Sequence, residues 1–131
     1  MVVDASALID AVQEPLARRA FWRLATQQPL VAPDHVDAEV ASSFQRLSRA
    51  GEVGSAIARG LLENAVLGPV VRVPSRVLVL DAWALRDNFS AYDALYVCLA
   101  QKLGCELLTN DERLRRACQG VIPAVALPNA G

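Results

Sequence analysis

The sequence predicts a three-layer α/β domain: a parallel sheet of about five strands flanked by helices. Three observations carry that prediction. Short apolar runs alternate with longer stretches of helical periodicity, the signature of a parallel sheet with crossover helices. The 131 residues suit one domain with one core, expected over residues 1–131. Four carboxylates stand where such a fold prefers apolar residues: Asp4, Glu39, Asp93 and Asp111.

The elements follow in order. Val2–Asp4 reads as a strand and Ala5–Val12 as a short helix. Pro15 suits the first turn of a helix running to about Gln27. Leu30–Ala32 is a second strand. Pro33-Asp34 then opens a helix with Asp34 as its expected N-cap, and Val36, Val40, Phe44 and Leu47 keep helical spacing. That helix should end near Gly51. Glu52–Leu67 is a further helix, closed by Gly68-Pro69. Val70–Val73 is a strand, and Pro74-Ser75 starts a helix over Arg76–Asp87. Ser90 caps a helix that runs to Leu103 and stops at Gly104. Glu106–Thr109 is a strand, Asp111–Cys118 a helix and Ala124–Leu127 a last strand.

Composition narrows the class. A hydrophobic share of 53% and a mean hydropathy of +0.27 indicate a folded globule. No uncharged apolar run is long enough to span a membrane, and the N-terminus lacks the features of a signal peptide. Cys98, Cys105 and Cys118 form no CxxC pair and read as reduced thiols of a cytoplasmic protein. Zinc is disfavoured because His35 is the sole histidine. A net charge of −1 carries no nucleic-acid signal. Basic charge is local, at Arg18, Arg19 and Arg23, at Arg46 and Arg49, and at Arg113, Arg115 and Arg116. These clusters suit either phosphates or solvated helix faces.

The carboxylates carry the chemistry. In a parallel α/β sheet, ligands bind beyond the carboxyl ends of the strands. Asp4 and Asp111 follow strands, and Glu39 and Asp93 open helices that start at that same end. Two carboxylates about 4 Å apart repel by about 1 kcal/mol in water and about 4 kcal/mol at an effective dielectric near 20. A cluster of four either keeps protons or binds a cation. Oxygen-only ligands favour a hard ion, so Mg²⁺ or Mn²⁺ is expected, with phosphodiester hydrolysis as the natural reaction.

Each acid also has a structural reading. Asp93 lies at capping-box spacing from Ser90, Asp111 suits an N-cap, and Glu39 has Arg46 and Arg49 as candidate partners. Asp4 has no evident local duty at the end of a buried strand. Ser6, Thr109 and Asn110 are placed to hydrogen-bond a ligand carboxylate, and Ser6 equally suits an N-terminal helix cap. Arg86 and Asn88, just before the Asp93 helix, suit either phosphate contact or loop anchoring.

The ordered set resembles a known family. Val-Val-Asp4-Ala-Ser6-Ala-Leu, Ala38-Glu39-Val, Arg86-Asp-Asn88-Phe-Ser90-Ala-Tyr-Asp93-Ala-Leu-Tyr96 and Leu-Leu-Thr109-Asn-Asp111-Glu-Arg-Leu114 resemble the PIN-domain ribonucleases, and more narrowly the VapC-type toxins of bacterial toxin–antitoxin pairs. The resemblance implies a PIN-like fold and a Mg²⁺- or Mn²⁺-dependent endoribonuclease. It implies that Asp4 and Asp93 bind metal directly, and Glu39 and Asp111 directly or through water. It also implies an antitoxin partner whose tail enters the active-site groove. Some members carry a further acid after the fourth. Here Glu112 is adjacent and position 113 is arginine, which argues against a fifth ligand and a second ion.

Two other readings compete. A phosphoacceptor receiver domain shares the length and alternation, but Asp4 lacks an adjacent acid and the sole lysine, Lys102, falls in a helix pattern. A catalytically inactive PIN module would only bind RNA or a partner. A homodimer is expected because apolar content exceeds the needs of one small core. Phe21-Trp22 and Ile57–Leu67 are its candidate surfaces, although Trp22 is expected in the core.

Overall fold

A computed structural model describes residues 1–129, so the last two residues of the expected 1–131 domain lie outside the described residues. The chain starts with β1 (Val2–Val3), whose two valines are fully buried. Helices α1 (Ala5–Gln13) and α2 (Pro15–Gln27) follow, then β2 (Leu30–Pro33), α3 (Val36–Arg49), α4 (Ser55–Val66) and β3 (Val70–Val73). A segment of short helical turns contains α5 (Val79–Ala82). The chain closes with α6 (Ala91–Leu103), β4 (Leu107–Leu108), α7 (Glu112–Ala117) and β5 (Ala124–Val125).

Among the described residues, five parallel strands make one sheet in the order β3-β2-β1-β4-β5. Val2 pairs with both Val31 and Leu107, so β1 is central. The chain builds outward from β1 to β3, then returns to lay β4 on the other side of β1. The reversal lies between β1 and β4, where a doubly wound sheet opens its crevice. Asp4 follows one of these strands and Thr109-Asn110-Asp111 follows the other.

Helix α6 fixes the middle of the molecule. It packs against β1, β2 and β4, and Ala94 to Ala100 are all buried. Its termini are well closed. Ser90 accepts from the Asp93 N–H at 3.1 Å, as the cap reading required. Gly104 adopts φ +62°, and the Cys105 N–H reaches back to the Ala100 carbonyl at 3.1 Å, a Schellman closure that favours glycine. Helices α1, α3 and α4 pack on one another, and α1 on α2. Residues such as Leu8, Phe21, Val40 and Phe44 join one hydrophobic cluster with the strands.

Several local expectations are corrected. Asp34 does not cap α3. Its Oδ1 accepts from the Ser75 N–H at 2.9 Å and the Ser75 hydroxyl at 2.5 Å. The parallel pairing of β2 with β3 lays the two following loops side by side, which offers Asp34 these donors and holds its carboxyl below the usual range. Helix α4 starts at Ser55 rather than Glu52, because Gly51 turns the chain at φ +75° and Gly54 is extended. The expected Arg76–Asp87 helix breaks into 3₁₀ turns around α5. Only Leu78, Ala82 and partly Leu85 face inward there, so little packing holds one long helix together. Trp22 is exposed (53%) instead of entering the core; its helix buries Ala17 and Phe21. The three cysteines are free, as expected.

Candidate active site

Asp4 sits at the carboxyl end of β1 and is 4% exposed. It has the local duty that the sequence did not suggest: its Oδ1 caps α1 by accepting from the Ala7 N–H at 2.9 Å. The Ser6 hydroxyl donates to the same oxygen at 2.7 Å, and the Thr109 hydroxyl donates to Oδ2 at 2.5 Å. Burial pushes the Asp4 carboxyl up to about 6, against the three hydrogen bonds and with help from the nearby Glu39 charge.

Ser6 and Thr109 join the two strand ends. The Asn110 N–H donates to Ser6 Oγ at 2.9 Å, and the Asp111 N–H to Thr109 Oγ1 at 3.1 Å. Asn110 itself turns away: its amide donates to Asp10 and its carbonyl accepts from the Leu127 N–H. The turn carrying Asp111 is therefore held in register with Asp4.

Glu39 lies in the first turn of α3 and is not paired with Arg46 or Arg49. Tyr96 donates its hydroxyl to Glu39 Oε1 at 2.6 Å, and His35 Nε2 lies 3.2 Å from the same oxygen. Burial raises the Glu39 carboxyl, but the His35 and Tyr96 hydrogen bonds outweigh it and leave the group below its ordinary value. His35 Nδ1 is buried without a partner, so the proton belongs on Nε2, where Glu39 and the Tyr92 carbonyl accept it. The imidazole also packs against the Tyr92 and Tyr96 rings.

Asp93 and Asp111 share one cation. Arg113 Nη2 donates to Asp93 Oδ2 at 2.9 Å and to Asp111 Oδ2 at 3.2 Å. Asp111 does cap α7, through Oδ1 and the Leu114 N–H at 3.2 Å. The Asp93 side chain does not return to Ser90, so the capping box is half made.

All four acids line one cavity of about 450 Å³, together with Ser6, His35, Ser42, Ser43, Arg46, Tyr92 and Tyr96. Burial, with the Asp93 and Asp4 charges adding, pushes the Cys118 thiol up to about 11. Arg46 is on this cavity. Arg49 lines a different one, Arg86 stacks over Trp83, and neither Arg86 nor Asn88 lines the acidic cavity.

Sequence reasoning missed His35, Tyr92 and Tyr96 at the site. The signals were present: His35, at the N-cap of α3, precedes Glu39 by four residues, and Tyr96 follows Asp93 by three on α6.

Among the described residues, no three metal-capable side chains already converge on one point. Each carboxylate is turned to a protein donor instead. The donor set nevertheless fits a hard divalent cation: it is all oxygen, it shares one cavity, and two of its acids already close on a single positive atom.

Comparison with known proteins then decides the family. The sequence model of the PIN domain matches residues 1–120. The chain belongs to the PIN-domain family. Ribonuclease VapC3 of Mycobacterium tuberculosis is 42% identical over 118 residues, covering 89% of this chain and 86% of that one. VapC ribonuclease Mb0985 of Mycobacterium bovis is 38% identical over 128 residues, 98% of each chain. The crystal structure of PAE2754 from Pyrobaculum aerophilum superposes with a TM-score of 0.71 at 26% identity, over 95% of this chain and 88% of that one. VapBC2 from Rickettsia felis, crystallised on a DNA fragment from its promoter, shares the PIN fold with a TM-score of 0.70 at 12% identity, over 97% and 98%. Among the described residues, no helix of this PIN domain is long and apolar enough to cross a membrane.

Proposed function

We propose that this PIN domain is a metal-dependent endoribonuclease, the toxin of a type II toxin–antitoxin pair in the cytoplasm. The observation that carries the reading is the gathering of Asp4, Glu39, Asp93 and Asp111 on one cavity at the sheet's switch point. The likeness to VapC ribonucleases over most of the chain supports the choice of RNA.

Asp4 and Asp93 would hold Mg²⁺ or Mn²⁺ directly, and Glu39 and Asp111 directly or through water. The ion would supply an activated water as nucleophile and screen the phosphodiester. Ser6 and Thr109 orient Asp4, and Tyr96 with His35 orients Glu39. Arg46 on the cavity wall offers a phosphate contact. Tyr92, 62% exposed beside Asp93 and backed by His35, offers a face on which an unpaired base can stack. Arg86, Asn88 and Arg49 lie off the cavity and would serve only RNA that extends beyond it.

An antitoxin tail entering the same cavity would neutralise the enzyme, a proposal supported by the VapBC pair among the fold's neighbours. Exposed Trp22, Leu67, Leu80 and Trp83 supply apolar surface for that partner or for a homodimer. A receiver domain finds no support: both Asp4 oxygens accept hydrogen bonds, and Lys102 pairs with Asp81 away from the cavity.

The test is cleavage of RNA by the purified protein with and without Mg²⁺. Products should end in a 5′-phosphate and a 3′-hydroxyl, and Asp4→Asn should abolish them. A 2′,3′-cyclic phosphate product, or cleavage that survives chelation, would refute the metal mechanism; folded protein that binds RNA without cutting it would favour an inactive PIN module.

A further inference from the structure

A cation already pairs with two of the acids that line the cavity. Arg113 lies in the first turn of α7, two residues after Asp111. One of its nitrogens bridges carboxylates from two different elements, at 2.9 Å from Asp93 Oδ2 and 3.2 Å from Asp111 Oδ2. Asp111 Oδ1 is committed to capping α7, which leaves Oδ2 as the oxygen free for a ligand. A divalent ion bound directly by Asp111 therefore meets the oxygen that the guanidinium holds. The arginine is loosely kept, since its side chain is 70% exposed. Arg46, which lines the cavity, bonds Ser43 rather than an acid.

We propose that Arg113 is an exchangeable counter-cation, which holds Asp93 and Asp111 in the metal-free protein, yields them to the divalent ion, and then takes a phosphate of the RNA. The inference rests on the metal-dependent nuclease reading. Its physical logic is local charge. Without metal, Asp93 and Asp111 repel each other unless a positive group stands between them. Once the ion replaces it, the guanidinium is free beside these acids, with a planar fork suited to phosphate oxygens. Metal and RNA then bind cooperatively, because each favours the released arginine.

The experiment uses the metal-free full chain. Mn²⁺ is titrated by calorimetry into the wild type, Arg113→Gln, Arg113→Lys and Arg116→Gln. The last variant removes the same charge from the same helix, where Arg116 pairs with Glu112. Arg113→Gln should bind Mn²⁺ about three- to tenfold more tightly, with Arg113→Lys between it and the wild type. The gap should narrow at about 0.5 M KCl. Arg116→Gln should match the wild type. In Ca²⁺, a labelled single-stranded RNA should bind Arg113→Gln about threefold or more weakly than the wild type, by fluorescence anisotropy. Unchanged or weaker Mn²⁺ binding in Arg113→Gln overturns the exchange, as does equal tightening in Arg116→Gln. Equal RNA affinity overturns the phosphate step. A wild type that binds no divalent ion overturns this inference and the nuclease reading together. A wild type that binds Mn²⁺ and cuts RNA, with Arg113→Gln indistinguishable from it, overturns this inference alone.

Discussion

Tyr96 donates its hydroxyl to Glu39 Oε1 at 2.6 Å, tying α6 to α3 across 57 residues of sequence. The bond joins the helix that carries Asp93 to the helix that carries Glu39. Burial and the Glu39 charge both raise the Tyr96 hydroxyl's pKa, so it stays protonated and donating.

Tyr96→Phe should cost about 1.5–3 kcal/mol in denaturant unfolding, since it removes one charge-assisted hydrogen bond from a half-buried carboxylate. With that donor gone, Glu39 should ionise at a higher pH. The acid limb of the RNA-cleavage pH profile is therefore expected to move upward. A profile identical to the wild type's would show that Glu39 does not limit the reaction.

Asp4 predicts a pH dependence of opposite sign to that of most acids. Its carboxyl is raised from 3.8 to about 6 by burial, so the folded state holds its proton more tightly than the unfolded state. Its stabilising contribution is full below about 3.8 and is lost as pH rises to about 6. The loss amounts to about 3 kcal/mol at most. Metal-free wild type should therefore lose stability relative to Asp4→Asn between pH 4 and 7, by thermal unfolding of both across that range. Mn²⁺ competes with the same proton, so its affinity should rise through about pH 6.

Asp93→Asn separates the metal from the fold. The Asp93 carboxylate pairs with an exposed arginine, and such pairs contribute about 0–1 kcal/mol. Its backbone N–H keeps the Ser90 cap whatever the side chain. Metal-free stability should therefore change by less than about 1 kcal/mol, while cleavage disappears. The wild type should gain about 2.7 kcal/mol at a Mn²⁺ concentration a hundred times its Kd, and Asp93→Asn should gain far less. A large loss of stability without metal would mean that Asp93 serves the fold first.

Gly104→Ala probes the scaffold at a distance from the acids. An alanine at φ +62° has open space around its Cβ but a strained backbone, costing about 1 kcal/mol. The melting temperature should fall by a few degrees while the cleavage rate at room temperature holds. A lost rate would show that the end of α6 is coupled to Asp93 at its start.

Much of this arrangement was legible in the chain, and the failures share a cause. Strands such as Val70–Val73 and the cap at Ser90 are written in neighbouring residues, where periodicity and turn chemistry act. The errors at Asp34 and Asp4 came from assigning a carboxylate by its neighbours alone. Asp34 found donors at Ser75, 41 residues away, and Asp4 took on a cap as well as the site. Trp22 was misjudged because helix α2 has one packed face, and spacing alone did not reveal which side it turned inward.

The sequence by itself determined the alternation of strands and helices, the strand-end positions of the acids and the resemblance to the PIN family. Those properties depend on local periodicity and on residues in order. Only the tertiary structure decided what each acid touches. Thr109 reaches Asp4 across 105 residues, Tyr96 reaches Glu39, and Arg113 closes on Asp93, because β4 returns to lie beside β1 and α6 packs across both. Strand order is a global choice among packings that bury the same apolar runs, and no local pattern encodes it.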